Sequence, residues 1–174
     1  CLVALWVTRL VWGVLGSSNA RFSHFVQGPQ AVTHFARCLL VGKGVPRHAG
    51  HNPLGALMVV ALLLLIALQW ISGLFATDEI FTEGPLASWV SADTATWLTQ
   101  WHHLNFNLII GLVVLHIAAV VLHQWRGEPL VQAMVTGKRD DLRDVQVPVL
   151  VPAWRAWGVF LLLWAVSYYL IVGG

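Results

Sequence analysis

Charge is what this chain has least of. Of its 174 residues only 10% are charged, 8 acidic and 10 basic, against 57% hydrophobic. Soluble domains carry roughly 25% charged residues, so the composition points to an integral membrane protein whose first partner is the lipid bilayer. A formal net charge of +2 builds no basic surface, and no nucleic-acid partner is expected. Cysteine is scarce as well. Cys1 and Cys38 are the two present. Neither stands in a C-x-x-C-H pattern, which excludes covalent c-type haem attachment, and two cysteines make no cluster for zinc or iron–sulfur. Cys38 lies in a basic segment of cytoplasmic character, so a disulfide with Cys1 is not expected. Both read as ordinary small buried residues. There is no glycine-rich phosphate loop and no H-E-x-x-H.

What the chain does have is long apolar runs. In lipid every backbone polar group must be satisfied internally, which leaves helix bundles or closed barrels. Unbroken runs favour helices, because barrel strands alternate in short segments. Four hydrophobic segments stand out: Cys1–Gly16, Leu54–Ala76, about Gln100–Trp125, and Trp154–Val172. The expected fold class is therefore all-α, a transmembrane helical bundle of four segments. The first is shorter than the roughly 20 residues a span needs and reads as the second half of a truncated helix. Asn52-Pro53 suits a helix start, and Gly127 with Pro129 suits a helix end. The stretch GPQAVTHFARCLLVGK, Gly28–Lys43, predicts a short amphipathic helix on the membrane surface.

The first two loops carry opposite signs. Ser17–Pro53 holds Arg21, Arg37, Lys43 and Arg47 with no acids. Thr77–Thr99 holds Asp78, Glu79, Glu83 and Asp93 with no Lys or Arg. Arg126–Ala153 brings Arg126, Lys138, Arg139 and Arg143. The positive-inside rule puts loops 17–53 and 126–153 in the cytoplasm and loop 77–99 in the periplasm, in a multi-pass protein of a bacterial inner membrane. Trp12, Trp70, Trp97, Trp101, Trp125 and Trp154 near segment ends fit interfacial belts.

Histidines break the apolar pattern. In WHHLNFNLIIGLVVLH, Trp101–His116, a histidine stands at each end, and His123 follows. From His102 to His116 is fourteen positions, which on a helix returns to within about 40° of the same face after rising about 21 Å. His103 points about 140° away from His116. Ionisable residues inside a membrane suggest function. Neutral imidazole is a common haem-iron ligand, and a bundle interior suits the apolar porphyrin plate. Two ligands on one stripe would hold two stacked haems. Hydrogen bonding to neighbouring helices, or snorkelling, remains open for His102 near the interface. It is less attractive for His116, flanked by GLVVL and IAAVVL with Gly111, Ala118 and Ala119 leaving room beside it. A proton pathway is the main rival. His123, at the edge beside Trp125 and Arg126, reads as snorkelling or as a haem-propionate or quinone contact. His24, His34 and His48 read as solvated. His51, in GHNPLG, is either a helix-entry contact or a partner for a quinone.

The stretches RLVWGVLGSSNARFSHFVQGP (Arg9–Pro29), GHNPLGALMV (Gly50–Val59), WHHLNFNLIIGLVVLH and EPLVQAMVTGKR (Glu128–Arg139) occur in that order. In this the chain resembles the prokaryotic cytochrome b561 family, which includes the cytochrome b subunits of membrane-bound nickel hydrogenases. The resemblance implies a di-haem cytochrome b core, with two b-type haems held by bis-histidine ligation. It implies electron exchange with a quinone pool or a partner redox protein such as a cytochrome c or a hydrogenase, within a larger complex. The family's paired histidines match His102 and His116; where the family has Glu after the first, this chain has His103. The family's other two ligands would fall before Cys1. Arg9 is read as facing a haem propionate or, equally, as a snorkelling or structural arginine.

The implied organisation is a haem-binding core over residues 1–125, a cytoplasmic loop over 126–153, and an added C-terminal helix over 154–174 that docks a partner subunit. The rivals from other classes are a cofactor-free membrane anchor and a proton-linked transporter. The transporter calls for broken helices or intramembrane carboxylates, and none of the four segments contains Asp or Glu.

Overall fold

A computed structural model describes residues 2–42, 51–78, 80–128, 130–132 and 151–172. Helix α1 spans Leu2–Leu15, the single turn α2 Phe22–Phe25, α3 Pro29–Val41, α4 Pro53–Gly73, α5 Ala92–Trp125 and α6 Ala153–Val172, with 3-10 turns at Ser18–Ala20 and Ala87–Trp89. Among the described residues the fold is all-helical, and its one β-type pairing is an isolated bridge between Thr77 and Glu83. The 21-residue α4 and the 34-residue α5 are long and apolar enough to cross a membrane. At 1.5 Å per residue they measure about 31 Å and about 51 Å, against a hydrocarbon core of about 30 Å.

Starts and stops follow local chemistry. Asn52 Oδ1 accepts from Gly55 N at 2.7 Å, satisfying a donor left over at the start of α4. Pro29 opens α3, and Gly42, at φ 70°, closes it with its N–H donating to Cys38 O; glycine takes that left-handed cap without a Cβ penalty. Helix α5 starts eight residues earlier than its apolar run. Ser91 caps it, its Oγ accepting from Thr94 N at 3.3 Å, and Asp93 lies in the first turn. Hydroxyls within the apolar helices bond back to their own backbone: Thr8 to Ala4 O, Ser72 to Leu68 O and Ser167 to Leu163 O, each at 2.7 Å. A lipid environment offers them no water.

The chain divides into two compact units, residues 1–59 with 127–174, and residues 60–126. In the first, α1 packs against α6, and Val151 N donates to Ser17 Oγ at 2.9 Å. Gly13 of α1 is buried, and a Cβ there would overlap the ring of Phe22. Gly13→Ala is therefore expected to overpack this contact at a cost of about 1–3 kcal/mol, offset in part by about 1 kcal/mol of helix propensity. At Gly111 a Cβ would meet nothing within 4 Å. Thermal unfolding in detergent should show a lowered midpoint for Gly13→Ala and none for Gly111→Ala.

In the second unit the acidic loop folds back over the end of α4. Gly84 N donates to Ala76 O at 2.7 Å and Leu86 N to Leu74 O at 2.8 Å, while Thr77 N donates to Thr99 Oγ1 of α5 at 3.0 Å. Asp78 Oδ1 accepts from the backbone N–H groups of Thr82, Phe81 and Ile80 at 2.7, 2.8 and 3.0 Å. Those donors, Thr82 first, stabilise the carboxylate and lower its pKa from 3.8 to about 2. With the folded value depressed, its contribution is complete above pH 3.8 and is lost as the pH falls through about 2. The protection factors of the Phe81 and Thr82 amides should thus hold at pH 4 and fall as the pH passes through about 2. In Asp78→Ala the protection should be missing at every pH.

The core is thin. Leu64, Leu68, Val114, Leu115 and Ile117 are all more than half exposed. Monomeric soluble proteins rarely present apolar patches of that extent, and a bilayer supplies what covers them.

Candidate functional site

One stripe of α5 is sheltered. Ala95, Asn105 and His123 are buried; His102, Ile109, Leu112, His116 and Val120 are half-buried; the positions between them are mostly exposed. From His102 to His123 the steps are three or four residues, the seam one helix presents to its neighbours. His102, His116 and His123 therefore share a face, and His103 does not: it is exposed.

His102 is the most closely held of the four. Its Nδ1 lies 3.1 Å from Gln69 O and 3.1 Å from Ser72 Oγ, and its Nε2 lies 3.0 Å from Gln69 Nε2. The ring rests against Gly73, where a Cβ would come within 3.1 Å of Cε1. A glycine there lets α4 approach the imidazole closely. Beside it, buried Asn105 donates through Nδ2 to Leu65 O at 2.8 Å and to Gln69 Oε1 at 2.6 Å. Two backbone carbonyls, which only accept, fix the assignment. The Asn105 amide must turn its NH2 to Leu65 O, so Gln69 presents its oxygen to Asn105 and its NH2 to the ring. Gln69 O requires a proton on Nδ1. The Nε2 of His102 is then left as a lone pair.

That is the protonation state a metal needs, one nitrogen with its hydrogen fixed on a backbone carbonyl and the other unprotonated, although here that lone pair accepts from the Gln69 amide at 3.0 Å. The donor set of His102 accordingly fits a haem iron. His116 is half-buried in the C-terminal half of the apolar run. Gly111 and Ala118 are exposed and lie on the opposite side of the helix from His116, so they do not make room beside it as the sequence suggested. His123 is buried to 8% exposure and does not reach out to solvent, although its neighbour Trp125 is 81% exposed. Among the described residues no group of three or more His, Cys, Asp or Glu could hold a metal ion by itself.

In the first unit, Arg9 and His51 meet the same ring. The Arg9 guanidinium carbon is 5.1 Å from the centroid of Phe22 and 6.0 Å from that of Phe25. The imidazole of His51 packs on Phe25 at 4.9 Å between centroids. Arg9 also donates through Nη1 to Ala20 O at 3.3 Å. It is half-buried and His51 is exposed. His24 and His34 are exposed, as expected. His34 lies 3.9 Å from the sulfur of Cys38, a free thiol. His48 and most of the 126–153 loop lie outside the described residues.

Gln69, Ser72 and Asn105 were not singled out by the sequence. The signal was there: each is an uncharged polar residue inside an apolar run, and such residues bond across helices in membranes.

Long apolar helices place the chain among membrane proteins, and the donor set at His102 suits a haem iron. The model of the family described as prokaryotic cytochrome b561 matches residues 1–137, and the chain belongs to that family. It is a membrane b-type cytochrome of electron transfer. No curated protein and no solved structure gave a significant match.

Proposed function

We propose that the protein conducts electrons across the inner membrane through two b-type haems, one held by His102 near the outer surface and one by His116 nearer the cytoplasm. The observation that carries the reading is the shared sheltered stripe of α5, with the two imidazoles fourteen positions apart. Haem, when bound, supplies the one-electron iron centre. The chain's own residues bind and orient it. His102 offers the Nε2 lone pair, with Nδ1–H held on Gln69 O, a contact that fixes the ring and raises its basicity as a ligand. His116 offers a second imidazole at another depth. Arg9, pinned between Phe22 and Phe25, supplies a cation for a propionate carboxylate. His51, exposed beside Phe25, is the group from which a quinone would take or return a proton.

The topology that goes with this function has four membrane segments, α1, α4, α5 and α6, with loops 17–53 and 126–153 cytoplasmic and loop 77–99 periplasmic. Residues 1–125 form the haem core, which carries electrons between a quinone pool and a redox subunit, a cytochrome c or a hydrogenase, docked on the added C-terminal helix. A reduced-minus-oxidised visible spectrum of the protein in native membranes tests the reading. Sharp low-spin b-type bands with two haems per chain are expected. A protein without haem would be a cofactor-free anchor and would end it.

A further inference from the structure

The nitrogen that His102 would give to iron is already in use. Its one lone pair accepts from the Gln69 side-chain amide at 3.0 Å. That amide is held by Asn105 with its oxygen turned away from the ring at 2.6 Å. Asn105 is in turn anchored on Leu65 O and is only 6% exposed. A single lone pair serves one acceptor bond, so the amide and an iron exclude each other. We propose that Gln69, oriented by Asn105, is a latch on His102: it keeps the ligand nitrogen hydrogen-bonded and the ring in its Nδ1–H tautomer until haem displaces it. This rests on His102 being a haem ligand.

The arrangement divides two duties between one residue's backbone and side chain. The carbonyl of Gln69 keeps the Nδ1 proton whether or not the side chain is present, so removing the amide leaves the tautomer set and frees the lone pair. Without the latch, haem has one less hydrogen bond to break. A net bond of this kind corresponds to a factor between about twofold and tenfold in an equilibrium constant. Gln69 is thus a positioning residue whose loss should tighten haem binding, the opposite of what a merely structural role would give. Methionine is the substitution of choice, being unbranched and of similar volume. Asn105→Leu is the second variant: it leaves Gln69 in place but removes the donor that orients its amide, and the effect should be in the same direction and smaller.

The test uses the full chain in lipid nanodiscs, stripped of haem and titrated with hemin, following the Soret band, with histidine 15N spectra of the haem-free form. Expected are a two- to tenfold tighter affinity at one site in Gln69→Met, a smaller gain in Asn105→Leu, and a His102 Nε2 resonance that moves toward that of a free lone pair in both. An unchanged or weaker affinity in Gln69→Met, with the haem count intact and His102→Ala still losing one haem, overturns the latch and leaves the ligand assignment standing. If His102→Ala binds as much haem as the unaltered chain, the ligand assignment falls and the latch with it.

Discussion

His116→Ala is expected to remove one of two haems, halving the reduced-minus-oxidised b-type amplitude, and His102→Ala to remove the other. A bis-histidine haem deprived of one axial ligand loses its low-spin signature even where the porphyrin lingers. Each variant should thus show about half the absorbance of the unaltered protein, with any retained haem shifted to high spin. His103→Ala is the internal control. It occupies the adjacent position and has the same chemistry, yet it is exposed while His102 is bonded to Gln69 and Ser72, so its loss should leave both haems in place. Haem quantification on purified protein, with electron paramagnetic resonance for spin state, checks all three. Equal losses from His103→Ala and His102→Ala would contradict the assignment.

The second large effect concerns the other side of α5. Leu115, 57% exposed, adjoins His116 but sits about 100° round the helix. If that face meets lipid, Leu115→Asp makes insertion of the segment less favourable by about 3–4 kcal/mol at mid-helix, a few hundredfold in the insertion equilibrium constant. If the face met water, a surface substitution would change stability by less than about 0.5 kcal/mol. An insertion assay that scores glycosylation of sites placed in the flanking loops separates the two outcomes.

Most of the helical layout could be read from hydropathy alone. A run expected over Leu54–Ala76 is α4, Pro53–Gly73, and one expected over Trp154–Val172 is α6, Ala153–Val172. Lipid demands long apolar stretches, and such stretches have few alternative readings. The short amphipathic helix read from GPQAVTHFARCLLVGK is α3, Pro29–Val41. Helix α5 starts ahead of its apolar run, because ADTATWLT is helical without being apolar. Its signal was the Ser91 cap with Asp93 in the first turn, a local hydrogen-bond pattern independent of hydrophobicity. The shared face of His102 and His116 followed from helical arithmetic. The Gln69–Asn105–Ser72 network did not, because α4 and α5 are apolar nearly all round, and nothing in either sequence fixes which turn of one lies against which turn of the other. The meeting of Arg9 and His51 on Phe25 was equally hidden: Phe25 belongs to a single helical turn, and its two partners stand 16 positions before it and 26 after.

Two imidazoles of α5, each holding a porphyrin iron, are the centre of the proposed electron path. An electron cryo-microscopy map of the protein in native lipid tests this directly. Two porphyrins should stand along the sheltered stripe, one with its iron joined to Nε2 of His102 and one to a ring nitrogen of His116. A map in which both side chains pack on neighbouring helices or lipid, with no porphyrin at either, would contradict it.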